Sequence, residues 1–206
     1  MEMKFLFQFV NDIIVDFPEI FIYEYNKMLI LLFLILILVY ILPRYNQPIL
    51  IKSLLSEEER TYIIEQARKD LQVDETTRLN REDPIIKSVI HKCTKYIDRS
   101  FVNCENLQVL RYKPGGYYKP HQDTFENGKN MRMYTFILAL NDDYEGGETV
   151  FPNLKKQYTL EKGDALFFDA VDNYEMVSSK ALHGGKPVKS GEKWICKLWV
   201  RKYPHA

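Results

Sequence analysis

From Leu107 to the end of the 190s the sequence leaves no stretch long enough, or periodic enough, to be a helix. Short β-favouring runs at Leu107–Tyr112, Met133–Leu140, Glu148–Phe151, Gln157–Leu160, Ala165–Asp169 and Lys193–Val200 are separated by turn-formers at Gly115-Gly116, Asn141-Asp142-Asp143, Gly146-Gly147, Gly163-Asp164 and Gly184-Gly185. Many short strands at close spacing must bury their alternate residues against a second sheet. That predicts a mainly β fold, a double-stranded β-helix or jelly roll.

The residues before this region read differently. Ser56 and Glu59 have capping-box spacing and open a helix over EEERTYIIEQARKDL, with Ile63, Ile64, Ala67 and Leu71 on one side. Asp83-Pro84 is a second helix start, followed by Ile85, Ile86, Val89, Ile90 and Cys93 at helical spacing. These flanking helices are expected to cover the outside of a sheet. His91 reads as a helix-face histidine and not as a ligand.

Further upstream, Met28 to Leu42 is MLILLFLILILVYIL, without a charge, followed by Pro43-Arg44. The run is shorter than the roughly 20 residues of a comfortable span. Tyr23, Tyr25 and Tyr45 flank it as interfacial anchors would, and no small-residue cleavage site follows. The expectation is an N-terminal segment (1–27), a transmembrane helix anchoring the chain as a single-pass membrane protein (28–43), and one domain of ordinary size (44–206, core 107–201). Asn46-Gln47-Pro48 would be the linker.

Lys plus Arg equal Asp plus Glu at 28 each, so nothing calls for nucleic acid as a partner. Three cysteines, Cys93, Cys104 and Cys196, are too few for a zinc cage or a disulfide framework; free buried thiols are expected, with a Cys93–Cys104 bridge as the alternative. Oligomeric state is not legible.

The chemistry concentrates in LQVLRYKPGGYYKPHQD, residues 107–123. His121 and Asp123 are two apart, hence on one side of an extended segment. His183 follows in ALHGG, and Lys193 stands ten residues later at the head of the last strand. Two His and one carboxylate are the facial set that suits non-haem Fe(II) with open positions.

At this point the sequence resembles the 2-oxoglutarate- and Fe(II)-dependent dioxygenases, and within them the prolyl 4-hydroxylases. The text that carries the resemblance is LQVLRYKPGGYYKPHQD, RMYTFILALNDDYEGGETVFP, KGDALFFD and ALHGGKPVKSGEKWICKLWVR, in that order. The resemblance implies His121, Asp123 and His183 as iron ligands, Lys193 as the cation for the distal carboxylate of 2-oxoglutarate, and Tyr112 with Thr135 as hydroxyls for the same carboxylate. It implies Tyr118, Arg132 and Trp199 as the lining of a peptide groove. The implied activity is 4-hydroxylation of peptidyl proline with O2, giving succinate and CO2, with L-ascorbate as a reductant and an endoplasmic reticulum lumenal domain. Relatives that halogenate lack the carboxylate at Asp123, and lysyl hydroxylases carry Arg where Lys193 stands. Two other readings are another 2-oxoglutarate oxygenase acting on a different residue or small molecule, and a non-catalytic membrane-tethered binding module.

Overall fold

The computed structural model describes residues 19–70, 76–124 and 129–205 and divides the chain into two units, Met1–Pro43 and Arg44–Ala206. Most of the segment expected over 1–27, and Leu71 in the first flanking helix, lie outside the described residues.

In the first unit, helix α1 runs Glu19–Ile41, and every side chain from Tyr25 to Leu42 is exposed. Among the described residues no helix is long and apolar enough to cross a membrane. The transmembrane helix expected over 28–43 is therefore not borne out. Its uncharged helical part, Met28–Ile41, is 14 residues. At 1.5 Å per residue that is about 21 Å, short of a hydrocarbon core of about 30 Å.

The second unit is the expected mainly β domain with flanking helices. A six-stranded antiparallel sheet has the order β1 (Ile49–Ile51), β9 (Ala165–Asp169), β5 (Arg132–Ala139), β12 (Lys193–Arg201), β3 (Leu107–Tyr112) and β2 (Thr76–Leu79). A four-stranded sheet has the order β4 (Tyr118–His121), β10 (His183–Gly185), β7 (Thr149–Phe151) and β8 (Lys156–Tyr158). A two-stranded ribbon pairs β11 (Val188–Gly191) with β6 (Tyr144–Gly146).

Strand alternation splits the apolar residues into two cores. One face of β12 sends Trp194, Cys196, Leu198 and Val200 towards the helices α2 (Glu57–Asp70) and α3 (Pro84–Thr94), where they join Ile63, Ala67, Ile86, Val89 and Ile90. The other face carries Ile195, which packs with Leu110, Ile137, Phe168 and Phe151 between the sheets. Both helix starts form as their residue types dictate. Ser56 and Glu59 close a reciprocal capping box at 2.8 and 3.3 Å, and Asp83 accepts from the backbone N–H of Ile85 (2.9 Å) and Ile86 (3.1 Å) ahead of Pro84. His91 is exposed, as expected, and stacks on Phe101. All three cysteines are free and buried.

Asp83 also accepts a hydrogen bond from the Tyr62 hydroxyl at 2.6 Å, tying α2 to the start of α3. Replacing Asp83 with Ala is expected to lower stability in urea unfolding by about 1–2 kcal/mol, the range for a lost N-cap. Metal affinity should be unchanged, because the cap lies on the helix side of the sheet.

Candidate metal centre

Antiparallel pairing of β4 with β10 sets His121 directly opposite His183. The approach is close enough that only glycine fits next door: a Cβ on Gly184 would stand 2.8 Å from the Tyr118 carbonyl. Asp123 follows β4 and turns its carboxylate between the two rings. The His121 Nε2 lies 3.4 Å from one oxygen and the His183 Nε2 lies 3.5 Å from the other. Among the described residues these three form a group able to hold a metal, with donor atoms within 4.8 Å of one another.

The donor chemistry fits a divalent ion. Each ring donates its Nδ1 hydrogen to a backbone carbonyl two residues back, Lys119 for His121 and Ala181 for His183, both at 3.0 Å. That fixes the tautomer and leaves both Nε2 lone pairs facing Asp123. The His183 Nε2 is buried with no hydrogen-bond partner, a cost that a metal bond would remove. Burial lowers the His183 pKa to about 4, against the raising effect of the Asp123 charge, so the ring is neutral as a ligand must be. Burial alone would raise the Asp123 carboxyl. The two imidazoles beside it, the Lys197 charge and the Thr135 hydroxyl outweigh that and hold the carboxyl well below its usual range.

The remaining expected residues fall in distinct places. Lys193 is buried, donates to the Gly147 carbonyl, and lies 6.0 and 5.8 Å from the ring centroids of Tyr112 and Tyr144. Burial, reinforced by Lys197, pushes its pKa down to about 8, which an anionic ligand would reverse. Tyr112 pairs with Lys193 across β3 and β12 and lines the same pocket. Thr135 sits elsewhere: its hydroxyl donates to the Asp123 Oδ2 at 2.7 Å, so its hydrogen goes to the metal ligand and not to a carboxylate beside Lys193.

Of the three groove residues, Tyr118 lines the pocket and is 44% exposed. Arg132 and Trp199 form a brace behind the centre. The Arg132 guanidinium stacks 3.7 Å over the Trp199 ring, grips both oxygens of Glu105 at 2.7 and 3.0 Å, and donates to the Asp123 backbone carbonyl. Sequence reasoning missed Glu105, Thr149 and Lys197. Glu105 is buried against Arg132 and Arg201, while Thr149 and Lys197 line the pocket with His121 and His183. The alternation of β12 was the signal for Lys197, since it shares a face with Lys193.

Three variants test this geometry. His121→Ala and His183→Ala should each abolish Fe(II) binding in anaerobic titration, and Thr135→Val should weaken it about tenfold or more by freeing the carboxylate. The Glu105 carboxyl is held below its ordinary value: burial would raise it, but Arg132, Arg201 and His205 outweigh that. A folded pKa below the unfolded one stabilises above the unfolded value and is lost as pH falls through the folded one. Wild-type stability should therefore decline as pH drops below about 4.5, and in Glu105→Gln this part of the decline should vanish from thermal unfolding curves, from a lower plateau.

The model of the 2OG-Fe(II) oxygenase superfamily matches residues 107–201. A relative from Acanthamoeba polyphaga mimivirus, named for prolyl 4-hydroxylase, is 29% identical over 77% of this chain and 75% of its own length. Prolyl 4-hydroxylase 1 of Arabidopsis thaliana is 34% identical over 61% of this chain, which spans about half (51%) of that longer protein. Among solved structures, the 2-oxoglutarate complex of the viral collagen prolyl hydroxylase from Paramecium Bursaria Chlorella virus-1 superposes with a TM-score of 0.68 at 31% identity. That match covers 77% of this chain and 97% of the other. The facial centre, the jelly-roll sheets around it and these likenesses agree, and the chain belongs to the 2OG-Fe(II) oxygenase superfamily, among the prolyl 4-hydroxylases.

Proposed function

We propose that the Arg44–Ala206 unit hydroxylates proline in peptides, using O2 and 2-oxoglutarate at Fe(II). The observation that carries the proposal is the pairing of the His121–Asp123–His183 centre with the buried Lys193 in one pocket. A metal alone would not explain a lysine ammonium at 5% exposure; a diacid co-substrate would.

Iron and 2-oxoglutarate, when bound, supply the oxidation that puts one oxygen atom of O2 into the substrate and the other into succinate, with release of CO2. The protein's part is positional. His121, Asp123 and His183 offer one anionic and two neutral donors and leave positions for the keto-acid and O2. Lys193 neutralises the distal carboxylate, with Tyr112 beside it. Ile137, Ile195 and Val188 line the pocket and keep it apolar, which strengthens that ion pair. Tyr117 and Tyr118, both exposed at the rim, offer flat faces to a peptide. Proline, with its fixed φ and no N–H, suits such an aromatic surface.

Ascorbate as the reductant that maintains Fe(II) belongs to the proposal, as does 4-position selectivity. Localisation rests on the other unit and on the resemblance. The exposed apolar side chains of α1 suit attachment to a membrane surface, and the endoplasmic reticulum lumen is what the resemblance implies. Co-flotation of the full chain with lipid vesicles tests attachment, and recovery in the lipid-free fraction would remove it.

The activity itself is tested with Fe(II), 2-oxoglutarate, ascorbate and proline-rich peptides. A one-oxygen gain mapped to proline by tandem mass spectrometry should track succinate, and both should disappear in His183→Ala. Lys193→Ala should raise the KM for 2-oxoglutarate at least about tenfold, the loss expected for a charge-assisted contact. Iron binding with neither product would replace the enzyme reading with that of a binding module.

A further inference from the structure

Lys193 is not the only lysine turned inwards on β12. Lys197, four residues on and therefore on the same face, is also 5% exposed and lines the same pocket. The two ammonium groups have different surroundings. Lys193 lies by Tyr112 and Tyr144, donates to the Gly147 carbonyl, and feels the charge of Glu148. Lys197 has other neighbours: it lies 4.8 Å from the Tyr118 ring centroid and 5.8 Å from that of Trp199.

Among the described residues Lys197 makes no hydrogen bond and no ion pair within 4 Å. The acidic group that faces it is Asp123, whose oxygens already serve His121, His183 and Thr135. Two cations face it: Arg132, which is held by Glu105, and Lys193. Two aromatic faces soften the burial of this ammonium but do not neutralise it. Asp123 is the carboxylate whose charge it feels, and a divalent metal held by Asp123 would offset that charge, so a ligand carboxylate reaching Lys197 would recover part of the cost of burying it.

On the proposed function the co-substrate would not need Lys197: Lys193 would hold its distal carboxylate, and the metal held by His121, Asp123 and His183 would take its other end. Lys197 faces the Tyr118 side, where the pocket opens at the rim. We propose that Lys197 is a specificity-determining residue that binds the side-chain carboxylate of an acidic residue flanking the target proline, so that acidic proline-containing peptides are the preferred substrates. This rests on the reading of the site as a peptidyl proline oxygenase.

The test uses the full chain loaded with redox-inert Mn(II) and 2-oxoglutarate, and two peptides that differ only in Glu or Gln beside the proline. Calorimetry should show the Glu peptide binding about tenfold more tightly, the scale of one charge-assisted hydrogen bond. Lys197→Met should remove that difference and Lys197→Arg should keep it, with 2-oxoglutarate affinity changing by less than the Glu-peptide affinity. Equal binding of the two peptides by wild-type protein overturns the proposal without needing any variant. So does a Lys197→Met protein that loses 2-oxoglutarate affinity more than peptide affinity, because the lysine would then serve the co-substrate. The Fe(II) enzyme separates the two levels. Equal oxidation of both peptides at proline sinks the Lys197 assignment alone, whereas oxidation of neither, with succinate still formed, sinks the proline reading and the assignment with it.

Discussion

The structure depends on one strand being buried on both faces. β12 is buried from Lys193 to Val200, in the middle of the large sheet, with β3 on one side and β5 on the other. Period-2 alternation then separates two chemistries that would be incompatible if mixed. Trp194, Cys196, Leu198 and Val200 complete the helix-side core, while Lys193, Ile195, Lys197 and Trp199 face the metal side. A one-residue slip would drive two lysines into the helix core and four apolar side chains into the site. Register is therefore strongly specified, by the cost of misplacing charge as well as by burial.

The centre is built on backbone pairing, and its charges are tuned by what surrounds them. The β4–β10 ladder fixes where the histidines stand, and two carbonyls fix which nitrogen each presents. Asp123 is held at its side chain by Thr135 and at its carbonyl by Arg132, and Arg132 is itself locked between Glu105 and Trp199. This chain of contacts joins β5, β12 and the segment before β3 to a ligand that lies on none of them. Rotation of the Asp123 side chain would have to break its hydrogen bond with Thr135, and displacement of its backbone would have to break the contact with Arg132.

Much of this was legible in the sequence, for identifiable reasons. The strands Leu107–Tyr112 and Ala165–Asp169 have the predicted limits, and both helix starts do too, because capping and turn chemistry are local. The short strands β1, β2, β4, β6, β10 and β11 escaped detection, since three or four residues such as His183–Gly185 form strands only through their partners. Residue type and spacing singled out the three metal ligands, and the resemblance of the flanking text gave them their role. Thr135, Arg132 and Trp199 were recognised as important, but their contacts were not, because whether a hydroxyl reaches a metal ligand or a co-substrate is decided by cross-strand register. Glu105 carried no signal of its own: a lone acid before a strand is buried here only because two arginines converge on it. The uncharged run after Met28 was visible, but its helical length falls short of what its hydropathy suggested.

The three cysteines lead to a consequence of another kind. Cys93, Cys104 and Cys196 are fully buried and unpaired, and burial raises each thiol, Cys104 to about 12. Nucleophilic attack needs a thiolate that solvent can reach, and none of the three provides one. The folded protein is in effect thiol-silent. A single cysteine placed at the exposed Tyr117 would be the one reactive sulfur on the catalytic unit, and a spin label or fluorophore there could report peptide binding at the rim without removing any native cysteine.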